Sequence, residues 1–346
     1  MAAVAPQSVQ EILLKQGTVP KRYIQQHGEH QKGDHARPPP LMEGPTIDFS
    51  LLSSNPQELE KLHYALSSWG CAQIVNHEIA SSFLDEVREM SKEFFRLPIE
   101  EKEKYSWKDN AGVEGYGNDM EHQQTGINWN DRLHLQVHPE QQRQLQYWPE
   151  NPQNFRKTLH DYSIKTRRVL EVLQKALARS LKLEENKFSE LWNAEEDTIH
   201  ARFNFYPWCP NSDLVVGLKP HGDGTALTIL LQDKEVEALQ VWKDNQWFRV
   251  PVIPEALVII VGDQMEIASN GIFKSPLHKV MVNPQHDRIS VAILPLPNKE
   301  KEIGPLPELI NEERPQLYKR FKDYGQVYFQ PLAPGERPLN VLKINY

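Results

Sequence analysis

Leu218-Lys219-Pro220-His221-Gly222-Asp223, continuing GTALTILLQD to residue 233, decides the reading of this chain. Side chains two apart on an extended chain point to the same side. His221 and Asp223 can therefore grip one ion from one edge, and Gly222 between them leaves space at little steric cost. Residues 225–232 (TALTILLQ) are apolar and partly β-branched, which predicts a strand leaving the pair. An isolated His-x-Asp is usually structural in a chain with 13 histidines, so a third ligand has to come from elsewhere. His278 supplies one, within the β-rich run SPLHKVMV at 275–282. Two imidazoles and one carboxylate make the facial triad of a non-haem Fe(II) site, with coordination positions left open.

Ten residues after His278 comes Arg288-Ile289-Ser290. Arg288 offers a planar fork of donors suited to a carboxylate, and Ser290 lies on the same strand face. Upstream, RFNFYP at 202–207 places Asn204 and Tyr206 on one face as further polar contacts. The set suits a chelating dicarboxylate co-substrate beside the metal.

With these pieces in order, the chain resembles the plant 2-oxoglutarate/Fe(II)-dependent dioxygenases. Within that family it is most similar to the specialised-metabolism group with alkaloid O-demethylases and jasmonate-induced or herbicide-oxidising dioxygenases. The resemblance covers about residues 40–335, through PTIDFS (45–50), WGCAQIVNHEI (69–79), FFRLPIEEK (94–102), GYGN (115–118), NWNDRLHLQVHP (128–139), FNFYPWCP (203–210), LKPHGDGTALTILLQD and GDQMEIASNGIFKSPLHKV (262–280). It implies a mixed α/β fold with a mainly β core, a double-stranded β-helix or jelly roll flanked by N-terminal and backing helices. It implies His221, Asp223 and His278 as catalytic iron ligands. It also implies Arg288 and Ser290 on the far carboxylate of 2-oxoglutarate, with Tyr206 and Asn204 assisting and ascorbate as reductant. Family layout places Tyr116, Asn118, Leu133 and Leu135 in the substrate wall; nearness to the motifs adds Phe205, Leu294 and Leu296. That set is largely apolar, so the expected substrate is a hydrophobic specialised metabolite, an alkaloid, phenolic or terpenoid, hydroxylated or oxidatively demethylated with O2. The alternatives are an iron oxidase that does not use 2-oxoglutarate and a non-catalytic binding protein on the same barrel.

Three departures from the family pattern stand out. Gly222 sits where many relatives carry Ala, Ser or Thr. Glu78 replaces the usual Gly after Asn-His. Leu294 stands where many relatives have an aromatic that stacks on flavonoids, which weighs against a flavonoid substrate. Asp223 is present, which favours hydroxylation over halogenation.

Composition fits an enzyme acting on small molecules. Net charge is 39 − 47 = −8 with no basic tract, which argues against nucleic acid as partner. Cys71 and Cys209 imply no disulfide framework. The longest apolar run, 256–261, is too short to span a bilayer, and the N-terminus lacks a signal-peptide pattern. A cytoplasmic monomer is the expectation. The chain divides into an N-terminal helix and irregular arm (1–40), an N-terminal dioxygenase region (41–150), backing helices (151–195), the jelly-roll core (196–300), and a C-terminal helix and tail (301–346). A helix is predicted over 8–16 with Ser8 as N-cap, helices around a strand at 71–75, a long helix over 155–183, and a tail helix near 310–325 broken at Pro315. The arm's histidines, His27, His30 and His35, read as part of a solvated linker.

Overall fold

The computed structural model describes residues 8–16, 18–25, 38–107, 114–118, 126–192, 197–330, 332 and 336–345. The three arm histidines lie outside the described residues. The strands are β1 (Thr46–Asp48), β2 (Cys71–Val75), β3 (Gly115–Gly117), β4 (Asp131–His138), β5 (Thr198–Tyr206), β6 (Leu218–His221), β7 (Leu227–Gln232), β8 (Leu239–Lys243), β9 (Gln246–Arg249), β10 (Leu257–Val261), β11 (His278–Val280) and β12 (Arg288–Leu296). The helices are α1 (Val9–Gln16), α2 (Pro56–Ser68), α3 (Ser81–Arg96), α4 (Ile99–Glu103), α5 (Phe155–Ser180), α6 (Lys187–Leu191), α7 (Asp263–Ala268), α8 (Tyr324–Tyr328) and α9 (Pro338–Val341).

Two sheets form the core. The larger runs β1-β2-β10-β7-β12-β5-β4-β3 and the smaller β6-β11-β8-β9. Leu230, Val258, Ile260 and Ala292 of the large sheet pack with Leu239, Val241 and Val280 of the small one. This is the double-stranded β-helix. The central strands β7 and β10 are buried throughout, which is why their sequences are continuous apolar runs rather than alternating ones. The β8–β9 turn places Asp244 and Asn245 at φ 48° and 58°, the two left-handed residues that a tight two-residue hairpin requires.

The outer face of the large sheet is covered by α2, α3 and α5. Leu84, Val87, Met90, Phe94 and Phe95 of α3 join Leu133, Leu135, Phe203, Phe205, Ile229 and Val291 in one cluster. Each such burial contributes about 1.5–3 kcal/mol. Arg88, also buried, ties α3 to the sheet by donating to Gln232 O at 2.9 Å and Pro254 O at 2.6 Å. Asn55 caps α2, its side chain accepting from Gln57 N at 2.9 Å with Pro56 in the first turn. Both cysteines are free and buried.

Two local expectations are corrected. Ser8 sits at the N-cap position of α1, its carbonyl accepting from Ile12 N at 3.2 Å, but its hydroxyl donates to Asp131 Oδ2 at 2.7 Å, and it is Asp131 that accepts from Val9 N at 2.9 Å and Gln10 N at 3.3 Å. A carboxylate on β4, 122 residues away from Val9, therefore serves as the helix cap. Residues 310–323 are not helical. Asn270 pins them to the core, donating to Pro315 O and accepting from Leu317 N, and the helical turn comes later, as α8. The jelly-roll core region also holds one short helix, α7, whose six residues are all buried.

Candidate active site

The two candidate imidazole ligands meet because β6 and β11 are antiparallel neighbours with His221 directly opposite His278. Their ring centroids are 4.2 Å apart. Asp223 follows β6 by two residues, and its Oδ1 lies 3.6 Å from Nε2 of each histidine. One ligand atom from each of the three lies within 4.8 Å of the others, on side chains that are half-buried or buried. The remaining ring nitrogens are used. His221 Nδ1 lies 2.8 Å from Lys219 O, and His278 Nδ1 lies 3.2 Å from Pro276 O. A carbonyl can only accept, so each Nδ1 carries the proton and each Nε2 presents its lone pair inward. Burial, reinforced by His278, pushes the His221 imidazole down to about 4, which keeps it neutral as a ligand must be. Thr228 Oγ1 donates to Asp223 Oδ2 at 2.6 Å.

The expected co-substrate residues converge one sheet away. Arg288 pairs with Tyr206 and Ser290 with Asn204 across β12 and β5, so all four side chains leave the same face. Asn204 Nδ2 lies 3.4 Å from Ser290 Oγ, and Arg288 lies over the Tyr206 ring, Cζ to centroid 5.2 Å. Arg288 is 1 % exposed, and its three guanidinium nitrogens have no hydrogen-bond partner among the described residues. A buried cation with unmade bonds is costly. A carboxylate would satisfy it, so the pocket fits an anionic co-substrate.

The substrate wall needs correction. Leu133, Leu135, Phe205 and Tyr116 belong to the helix-side core; Phe205 stacks on Phe95 at 5.2 Å and Tyr116 meets Phe94 at 5.9 Å. The pleat is the reason. Asn204 and Tyr206 face inward, so Phe205 must face outward, and Leu133, paired with Phe203, goes with it. Asn118 is buried just after β3. Leu294 and Leu296 share the inward face with Arg288 and Ser290. The inward positions passed over in the sequence are Arg132 and His134 on β4 and His200 and Arg202 on β5. Counting in twos back from Asn204 reaches the two on β5; the two on β4 follow only from the strand pairing. His134 Nε2 lies 3.1 Å from His200 Nδ1, and Arg202 Nε donates to Asn204 Oδ1 at 2.8 Å. Burial pushes His200 down to about 4 and His134 well below its ordinary range, so this pair is neutral. The inner wall is thus more polar than expected.

Comparison with known proteins agrees with this geometry. Residues 198–294 match the 2OG-Fe(II) oxygenase superfamily, and residues 45–155 match the N-terminal region described as non-haem dioxygenase in morphine synthesis. The chain is 34% identical over 345 residues to Protein SRG1 of Arabidopsis thaliana, covering 97% of this chain and 96% of that one. It is 38% identical over 283 residues to codeine O-demethylase of Papaver somniferum, covering 80% and 78%. The crystal structure of JOX2 in complex with 2OG, Fe and JA superposes with a TM-score of 0.88 at 30% identity, covering 99% of each chain. The chain therefore belongs to the 2OG-Fe(II) oxygenase superfamily and is an oxidoreductase of that class.

Proposed function

We propose that this enzyme hydroxylates or oxidatively demethylates a small specialised metabolite, using Fe(II), O2 and 2-oxoglutarate and releasing succinate and CO2. Fe(II) is held by Nε2 of His221, Nε2 of His278 and Oδ1 of Asp223, with ascorbate as the reductant that keeps the iron ferrous. The observation that carries the co-substrate assignment is Arg288, a buried guanidinium whose nitrogens have no hydrogen-bond partner among the described residues, on the face that carries Ser290, Asn204 and Tyr206.

The bound iron and 2-oxoglutarate supply the oxidising power that replaces a substrate C–H bond with C–OH. The residues of the chain position the reactants. Lys219 O and Pro276 O fix the ring orientation of the two imidazoles. Arg288 and Ser290 hold the distal carboxylate of 2-oxoglutarate, where exclusion of water strengthens a charge-assisted pair. Leu294 and Leu296 bear on the apolar skeleton of the substrate, while Arg202 and the neutral His134–His200 pair meet its polar groups. An alkaloid or phenolic carrying oxygen substituents fits this mixed wall better than a plain hydrocarbon, and relatives such as codeine O-demethylase support that class. Where the oxidised bond belongs to an O-methyl group, the resulting hemiacetal collapses to an alcohol and formaldehyde.

Incubation of the Fe(II)-loaded protein with a fractionated plant metabolite extract tests the reading. Expected are products 16 mass units heavier or 14 lighter, formed only with added 2-oxoglutarate and matched by succinate. Equal product formation without 2-oxoglutarate would point to an oxidase instead.

A further inference from the structure

Asp223 is flanked by two glycines, and side chains from the C-terminal segment occupy the space beside both. A Cβ on Gly222 would lie 2.6 Å from Arg337 Nη2, 3.2 Å from Asp263 Oδ1 and 3.2 Å from Ser275 Oγ. A Cβ on Gly224 would lie 2.8 Å from Cδ2 and 3.1 Å from Cε2 of the Tyr328 ring. Neither glycine has a left-handed φ, so backbone freedom does not explain them. The missing side chains do.

The groups beside the glycines are held in place. Arg337 Nη2 donates to Asp263 Oδ1 at 2.9 Å and to Ser275 Oγ at 3.1 Å, and Nη1 donates to Ser275 O at 3.0 Å. Asp263 is fully buried, and its second oxygen accepts from Tyr324 OH at 2.8 Å. Tyr328 OH donates to Gly222 O at 2.9 Å, while Asp263 N donates to Asp223 O at 2.7 Å. The carbonyls of residues 222 and 223 are therefore both clasped, the first by Tyr328 and the second by the aspartate that Arg337 and Tyr324 hold.

We propose that Gly222 and Gly224 are sockets for Arg337 and Tyr328, and that α8 together with Arg337 positions the Asp223 carboxylate for the metal. The second half rests on Asp223 being a metal ligand. Arg337 and Tyr328 are positioning residues, acting through the Asp223 backbone. The pairing has a steric consequence. Any side chain at 222 must displace the guanidinium from its present position beside Asp263. The same side chain has room once Arg337 is shortened, and a hydroxyl there comes within reach of Asp263 Oδ1.

Metal-free protein is compared as wild type, G222T, R337A, the G222T/R337A double variant, and Y328F. Two quantities are read: hydrogen–deuterium exchange of peptides spanning 317–345, and affinity for Co(II), an oxygen-stable probe of the metal site. G222T and R337A should each speed tail exchange and weaken Co(II) binding about tenfold, in the range for loss of a group that orients a metal ligand. The double variant should bind Co(II) at least as well as G222T, because the threonine fills the space that Arg337 leaves. Y328F should weaken Co(II) binding while leaving the ring in the Gly224 socket and tail exchange nearly unchanged. G222A repeats the steric test should G222T fail to fold. The socket is overturned if G222T and G222A leave tail exchange unchanged, or if the double variant shows the summed damage of the two singles. Failure of the wild type to bind one Co(II) would overturn the metal reading and the positioning role with it, while tail exchange would still decide the socket.

Discussion

Thr228 Oγ1 donates to Asp223 Oδ2 at 2.6 Å, while the other oxygen of the same carboxylate, Oδ1, lies 3.6 Å from Nε2 of both His221 and His278. The hydroxyl engages one oxygen and leaves the other facing the imidazoles. It thereby fixes the rotation of the carboxylate and would leave one oxygen, Oδ1, to hold a metal. T228V keeps the shape and removes the donor. Metal affinity should fall about ten- to a hundredfold, the usual loss when a group orienting a ligand is removed, and T228S should recover most of it. Titration with Co(II) checks this; an unchanged affinity in T228V would show that the bond does not orient the ligand.

Arg288 makes a separate prediction. Its guanidinium is buried over the Tyr206 ring with no hydrogen-bond partner for its nitrogens among the described residues, so its donors are available to the co-substrate. R288Q should raise the KM for 2-oxoglutarate about ten- to a hundredfold, from the loss of roughly 1.5–3 kcal/mol of charge-assisted bonding. The KM for the organic substrate should change much less. Equal changes in both would place Arg288 in general packing of the cavity.

Acid should destabilise the metal-free protein before carboxylates titrate. Burial pushes His200 down to about 4, against roughly 6.5 in an unfolded chain. Between those values the unfolded state binds the proton and the folded state does not. Stability is therefore complete above about pH 6.5 and is lost as pH falls toward 4, at about 1.4 kcal/mol per unit of pKa difference. His134, shifted the same way, steepens the slope. Urea unfolding at a series of pH values in EDTA should show this loss, and H200Q should flatten it. A wild-type midpoint that stays level from pH 7 to 5 would refute the assignment.

Glu78 is exposed and sits at φ 64°, a left-handed conformation costing a residue with Cβ about 1–2 kcal/mol. The family departure at this position is thus a strained one. E78G should stabilise the fold by about 0.5–1 kcal/mol after the glycine's extra unfolded-state entropy is offset. The urea midpoint should rise with an unchanged slope; a lower midpoint would mean that the glutamate side chain contributes a stabilising contact.

That His221, Asp223 and His278 come together was legible because the pattern is carried by residue type and short spacing: His-x-Asp, then a histidine on another β-rich run. The shared face of Arg288, Ser290, Asn204 and Tyr206, proposed to hold the co-substrate, followed from Arg-x-Ser and from the parity of Asn204 and Tyr206. On β4 and β5 the same parity turns Leu133 and Phe205 outward, although their apolar character alone reads as pocket wall. Both faces of the large sheet are buried, so hydrophobicity could not separate helix side from cavity side. Asp131 as the cap of α1, Asn270 as the clamp on the tail, and Arg337 beside Gly222 join residues far apart in sequence. No local pattern announces such contacts. Gly222 was noticed as leaving space, but the group that uses the space lies 115 residues on.

The most direct test of the central claim is anaerobic titration of the protein with Fe(II) and then 2-oxoglutarate, followed by visible absorption. One Fe(II) should bind per chain, and 2-oxoglutarate should then produce a weak metal-to-ligand charge-transfer band. The band should be absent in H221A, D223A and H278A at stoichiometric iron, and should need far more 2-oxoglutarate in R288Q. A band of full intensity in any of the three ligand variants would remove that residue from the iron site. No band in the wild type with one Fe(II) bound would contradict chelation of 2-oxoglutarate at this centre.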